Sequence, residues 1–245
     1  MAELAGSVSK ELKETLWKAA NKLRGALPAS QYKDVILGLI FLKFVSDADD
    51  ERPNGAFNVP PAARWKSLAD NAKADNIGQL VDQAMAAVMK ANPALARILP
   101  QRYHGVDPRR LGELVGLLNS ARFSGQGQYR ARDLMGEVYE YFLGNFARAE
   151  GKRGGEFFTP PSVVRVIVEV LEPSSGRVYD PCCGSGGMFV QTESFIRRND
   201  GDPSEVFIYG QESVEETWRM AKMNLAVHGI DDAGLGQQWA DTFVR

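Results

Sequence analysis

Val178-Tyr179-Asp180-Pro181-Cys182-Cys183-Gly184-Ser185-Gly186-Gly187 decides how the carboxyl half of this 245-residue chain folds. Residues Arg177 to Tyr179 read as a strand that runs into an acid, a glycine-rich turn follows, and Gly187 to Arg198 reads as a helix. Strand, turn and helix in that order place the turn at the carboxyl end of a parallel strand, where open α/β sheets receive ligands. Glycine there lets the backbone approach a bound molecule with no side chain in the way. Gly184-Ser185-Gly186-Gly187 lacks the third glycine of a dinucleotide fingerprint, and no Lys-Ser or Lys-Thr follows it as in a Walker loop. An acid just before the turn suits a ligand that offers an amino group or hydroxyls, not phosphates.

Working outward, Val206 to Tyr209 reads as a second strand and Ser213 to Val227 as a further helix, with Pro161 to Leu171 a short helix ahead of the first strand. This alternation implies a parallel sheet with helices on its faces. Glu212 follows the second strand through Gly210-Gln211, and a carboxylate at that strand end can accept two hydrogen bonds from a ribose diol. S-adenosylmethionine carries both the amino group and the diol that these two acids suit.

Upstream of Gly151 the texture is helical. Leu12, Leu16, Ala20 and Leu23 recur at three and four, an amphipathic stripe over Ser9 to Arg24 that Gly25 can close. Ser30 is placed to cap a helix over Gln31 to Ser46, which is apolar on nearly every side from Val35 to Val45 and so belongs at the centre of its domain. Asp49 to Pro61, with three prolines and a glycine, reads as a loop. Helices are expected over Ala62 to Ala72, Ile77 to Lys90 and Pro108 to Leu118, a polar loop over Ser120 to Gln128, and a long helix over Tyr129 to Ala149. That last helix shows Leu134, Val138, Tyr141, Phe142 and Phe146 on one face. The expected organisation is an all-α domain over 1–150 followed by an incomplete α/β, Rossmann-like domain over 151–245.

Composition narrows the function classes. With 44% hydrophobic and 24% charged residues, the chain has ordinary globular composition. No apolar run approaches the roughly 20 residues that span a bilayer, and Met1 to Gly6 lacks a secretory layout, so a cytoplasmic protein is expected. The cysteines, Cys182 and Cys183, are adjacent and provide no disulfide framework, and His104 and His228 show no metal-ligand spacing with them. A formal charge of -2 argues against a protein that coats nucleic acid, although Arg97 to Arg153 holds ten Lys/Arg against six Asp/Glu. That surplus fits solvated helix faces as well as it fits a phosphate-contacting surface.

Gly155-Glu156-Phe157-Phe158-Thr159-Pro160 precedes the Asp-Pro-Cys-Cys-Gly-Ser-Gly-Gly run by about twenty residues. Together they resemble the paired cofactor motifs of N6-adenine DNA methyltransferases of the type I restriction-modification methylation (M) subunit family. Tyr32 to Asp47 and Asp133 to Phe146 resemble that family's helical amino-terminal domain, so the likeness runs across nearly the whole chain. The resemblance implies S-adenosylmethionine as cofactor. It implies Glu156, Phe157, Phe158, Thr159 and Pro160 as a loop over the methionine end, with Phe158 packing and Thr159 hydrogen-bonding. Asp180 with Gly184, Ser185, Gly186 and Gly187 would hold the amino acid moiety. Glu212 would take the ribose hydroxyls and Asp241 the adenine amino group. The cysteines are expected to pack near the cofactor, not to act as nucleophiles. Implied partners are DNA, a specificity subunit that reads sequence, and a motor-nuclease restriction subunit.

One departure stands out. The family's catalytic Asn-Pro-Pro-aromatic motif, which contacts a flipped base, is absent: Asn92-Pro93 is followed by Ala94, and Pro60-Pro61 and Pro160-Pro161 follow Val59 and Thr159. No catalytic residue is therefore assigned, and this chain alone is not expected to methylate. Two other readings stay open: a non-catalytic assembly or DNA-contacting module on a vestigial cofactor fold, and a methyltransferase acting on RNA or protein.

Overall fold

A computed structural model describes residues 10–21, 23, 29–51, 57–120, 131–151 and 158–244. Contacts divide the chain into two compact units, Met1–Phe142 and Leu143–Arg245. The division falls inside a continuous helix, whereas the change of sequence texture lies near residue 150. A helix that runs through a division leaves no compositional mark at the division itself.

The first unit is built from α1 (Lys10–Asn21), α2 (Ala29–Glu51), α3 (Trp65–Asp70), α4 (Ile77–Ala91), α5 (Pro108–Ser120) and the first part of α6 (Ala131–Glu150). Every residue from Val35 to Val45 in α2 is buried, so this helix is the core element its sequence announced. Each such Val, Leu, Ile or Phe contributes about 1.5–3 kcal/mol on burial, far more than the roughly 1 kcal/mol of a capping side chain. The helix starts at Ala29, so Ser30 lies within it and not at the position before its first residue. It also runs on to Glu51, into the stretch read as a loop. Gly38 sits mid-helix because a Cβ there would come within 2.6 Å of Pro100 and 2.7 Å of the Tyr103 hydroxyl, which donates to the Val35 carbonyl at 2.8 Å.

The helix expected over Ala62 to Ala72 is interrupted. A 3-10 turn, Pro61–Ala63, precedes an extended Arg64, and α3 begins only at Trp65. The cause lies in α2: the buried Ser46 hydroxyl accepts from the Trp65 N–H at 2.7 Å and serves the first orphan donor of α3 from a neighbouring helix. Along α6 the buried positions include Met135, Val138, Tyr139, Phe142, Leu143 and Phe146, with Tyr141 only half-buried. Tyr139 thus replaces Tyr141 among the covered residues, because burial wraps further round the helix than one 3.6-residue stripe. The side chain of Leu134 and the Ser120-to-Gln128 loop, from residue 121 onward, lie outside the described residues.

In the second unit β1 (Gly176–Asp180) pairs in parallel with β2 (Val206–Gly210), in a register running from Gly176 opposite Val206 to Asp180 opposite Gly210. The helices α7 (Pro161–Leu171), α8 (Gly187–Arg198) and α9 (Glu215–His228) complete it. Strand alternation sends Val178 and Ile208 inward onto Phe189 and Val190 of α8 and Ala221 and Leu225 of α9. Val164 and Val168 of α7 meet Phe195 and Ile196 of α8 in a second cluster. The opposite sheet face, with Tyr179, Phe207 and Tyr209, is exposed. Among the described residues this is an all-α unit followed by the start of an α/β one, the expected fold class. No helix among them is long and apolar enough to cross a membrane.

Ser46→Ala leaves the buried Trp65 N–H without its acceptor and should lower the unfolding free energy by about 1–3 kcal/mol in urea titration. A loss under about 0.5 kcal/mol, the range of an ordinary surface change, would show that α3 finds another acceptor.

Candidate functional site

β1 ends at Asp180 because Pro181 has no N–H to continue a ladder, and the Asp180 carboxylate accepts from the Cys182 N–H at 3.0 Å, starting the turn. The turn is then sewn to the end of β2. Gln211 donates its N–H to the Asp180 carbonyl at 3.0 Å, and its own carbonyl accepts from the Cys183 N–H at 2.9 Å. Gly184 and Gly186 take left-handed backbone angles, φ 55° and 78°, where any other L residue costs roughly 1–2 kcal/mol. Gly186 also lies close to α9: a Cβ there would stand 3.6 Å from both Ala221 and Leu225.

Glu212 is buried at 8% exposure. One carboxylate oxygen accepts from the Gly184 N–H at 3.1 Å and the other from the Val214 N–H at 2.8 Å. A carboxylate offers about four lone-pair positions, so acceptor capacity remains on each oxygen. The Ala240 N–H donates to the Glu212 carbonyl at 2.9 Å, and the Thr242 hydroxyl donates to the Pro181 carbonyl. The chain around Asp241 is thereby brought back to the turn. Asp241 itself is exposed and accepts from the Phe243 N–H at 2.9 Å.

Phe158, Thr159, Asp180, Gly184, Ser185 and Gly187 line one small cavity of about 70 Å³, together with Cys182, Cys183, Val164 and Met188. The Phe158 ring lies near α6, 3.5 Å from where a Gly144 Cβ would stand. Six of the sequence-predicted residues thus share one space, with Gly186 in the same turn and Glu212 bonded to it. Pro160 is exposed at the start of α7, and Glu156 and Phe157 lie outside the described residues. A hollow of about 660 Å³ beside β2, near Pro203, Phe207, Ile230 and Gly234, is larger but contains none of the predicted residues. The small cavity is where the chemistry converges.

Its donors come from the backbone. Helix α8 starts at Gly187 with no side-chain cap, so its first N–H groups are free of intrahelical partners. Within the turn the N–H groups of Cys182, Cys183, Gly184 and Gly186 are used internally. Those of Ser185, Gly187 and Met188 make no backbone bond among the described residues. Partial burial, then the Asp180 and Glu212 carboxylates, raise the Cys182 thiol above its ordinary value. Burial, followed by the same two acids, pushes Cys183 up to about 12. Neither thiol is set up as a nucleophile. Among the described residues no group of three His, Cys, Asp or Glu could hold a metal ion.

Residues 12–118 match the family model described as HsdM N-terminal domain, and residues 130–245 match N-6 DNA Methylase. The chain is 43% identical over 207 residues to the type I restriction enzyme HindI methylase subunit of Haemophilus influenzae, an alignment covering 76% of this chain and 46% of that protein. It is 33% identical over 258 residues to the MjaIX methylase subunit of Methanocaldococcus jannaschii, covering 90% of this chain and 46% of that one. The chain belongs to the type I restriction-modification methylation (M) subunit family. Two solved structures share the fold at 20% identity. A type I restriction-modification methyltransferase subunit from Streptococcus thermophilus has TM-score 0.73, over 96% of this chain and 59% of that one. A modification subunit of a type I restriction enzyme from Vibrio vulnificus has TM-score 0.65, over 94% and 55%. This M-subunit chain spans about half the length of the curated relatives it matches.

Sequence reading of this turn missed three contributors: the Gln211 backbone, Thr242 and Asn224. Asn224 is 1% exposed on α9, and its amide donates to the Ser185 carbonyl at 2.9 Å. A polar residue within Met220-Ala221-Lys222-Met223-Asn224-Leu225 was the available signal, but a helical period does not say what a single buried amide will meet.

At pH 8 about one Cys183 in ten thousand is thiolate, given a pKa of about 12. An aromatic disulfide reagent should therefore modify Cys182 slowly in the folded M-subunit chain and spare Cys183, with both reacting after denaturation. Labelling of the two at equal rates in the native state would show that the turn opens.

Proposed function

We propose that this chain carries the S-adenosylmethionine site of a type I M subunit that methylates N6 of adenine in DNA. The observation that carries the reading is the cavity at the carboxyl end of β1, where Phe158 and Thr159 meet Asp180 and the Gly184-to-Gly187 turn. The donor set fits the methionine end of the cofactor. Asp180 is a carboxylate for an α-amino group, and the N–H groups of Ser185 in the turn and of Gly187 and Met188 at the start of α8, unbonded among the described residues, suit an α-carboxylate. At about 70 Å³ the cavity takes one end of such a ligand, since a whole ligand site occupies roughly 300–1,000 Å³. The adenosine end extends towards Glu212, whose spare lone pairs accept from the ribose diol, and Asp241, which accepts from the adenine amino group.

Bound there, the cofactor supplies an activated methyl on a sulfonium. The residues of this chain orient it: the turn holds one end, Glu212 the middle, and Phe158 and Thr159 cover the reacting side. Pro160 follows Thr159 directly, and the resemblance to the family assigns Glu156 and Phe157 to cofactor binding as well. DNA, a sequence-reading specificity subunit and a restriction subunit are the partners, and the cytoplasm is the compartment. A formal charge of -2 accords with base readout delegated to a partner. With no Asn-Pro-Pro-aromatic motif in its 245 residues, the chain binds cofactor without transferring methyl to DNA by itself.

Calorimetric titration with S-adenosylmethionine tests this. Saturable binding is expected, weakened at least about tenfold by Glu212→Ala, which removes a charged hydrogen-bond acceptor. Gly186→Val should abolish it, because it places a branched side chain at φ 78° against Ala221 and Leu225. No binding by a demonstrably folded chain, or transfer of labelled methyl to DNA by this chain alone, would overturn the respective part of the reading.

A further inference from the structure

We infer that Asn224 is a positioning residue for the glycine turn, fixing from α9 the peptide that aims the ligand-facing N–H groups. The inference rests on the reading of that turn as the cofactor site and assigns the turn a support that the cofactor motifs do not contain. The peptide unit joining Ser185 to Gly186 is planar, with its C=O and N–H pointing in opposite directions. Its carbonyl accepts from the Asn224 amide at 2.9 Å, and its N–H donates to the Cys183 carbonyl at 2.9 Å. Held at both ends, that plane cannot rotate. Its orientation, with the left-handed Gly186 beyond it, sets where the N–H groups of Gly187 and Met188 point.

Burial makes the arrangement specific. Asn224 is 1% exposed, and its amide must turn its nitrogen to the Ser185 carbonyl, because the side-chain oxygen would repel it. That orientation leaves the Asn224 Oδ1 buried with no hydrogen-bond partner among the described residues, a cost that a purely space-filling residue would not incur. Leucine at this position would fill the space without that oxygen but would leave the Ser185 carbonyl without its donor. The unmatched oxygen is the mark of a side chain retained for its donor.

Asn224→Leu separates positioning from packing. Hydrogen exchange on the unliganded protein, followed by NMR and corrected for global stability, should show faster exchange confined to the amides from Gly184 to Met188. Affinity for S-adenosylmethionine should fall about tenfold, the equivalent of one buried hydrogen bond, and by more than the change in melting temperature accounts for, since removing the unpaired oxygen offsets the Ser185 carbonyl left without its donor. Should Asn224→Leu fail to fold, Asn224→Ala, which removes the donor without added bulk, carries the same comparison. Unchanged exchange at the turn, or affinity loss no larger than the loss of global stability explains, overturns the inference. Loosening of the turn in a wild-type background that binds no cofactor would keep Asn224 as the positioning residue and refute the cofactor reading instead.

Discussion

Beyond the last paired residues of β1 and β2, the two chains do not part: Gln211 bonds through its N–H to Asp180 and through its carbonyl to Cys183, and Glu212 accepts from Gly184. The register that sets Asp180 opposite Gly210 makes this continuation possible, and the shape of the turn depends on it. A slip of β2 by one residue would send Ile208 to the exposed face and Tyr209 to the core. It would also carry Glu212 away from the glycine it serves. Inward packing of Val178 and Ile208 on α8 and α9 thus holds in register the backbone bonds that shape the site.

Glu212 shows how one group can have two duties. Its carboxylate already satisfies two backbone donors, one in the turn and one at the start of α9. A ligand diol would add to these bonds without replacing them, so the middle of the cofactor and the turn that grips its end would share one side chain. The two cysteines mark the same surroundings from the other direction. Their thiols are held in the neutral form partly by the acids that suit a ligand with amino and hydroxyl groups.

Much of this was legible in the residues. Pro161 to Leu171 and Gly187 to Arg198 coincide with α7 and α8, because a proline at the first helical position and a glycine run before a periodic stretch are strong local signals. The uniform apolar run of α2 announced a central helix for the same reason. Ser30 and Ala62 to Ala72 misled, since a helix end is fixed by what its orphan groups meet in space. For α3 that partner is Ser46, nineteen residues away in sequence. Thr242 and Asn224 escaped notice on similar grounds: their bonds to Pro181 and Ser185 span 61 and 39 residues.

The sequence by itself determined the order of elements, the α/β character of the second unit, the parallel pairing and the identity of the acids and glycines at the turn. These follow from periodicity, backbone permissiveness and charge, which are properties of neighbouring residues. Only the tertiary structure decided that Phe158 and Thr159 share a cavity with Asp180, that Glu212 is buried against Gly184, and that an asparagine on α9 holds the turn from behind. Those are hydrogen bonds and contacts between residues far apart in the chain, fixed by packing rather than by any local preference.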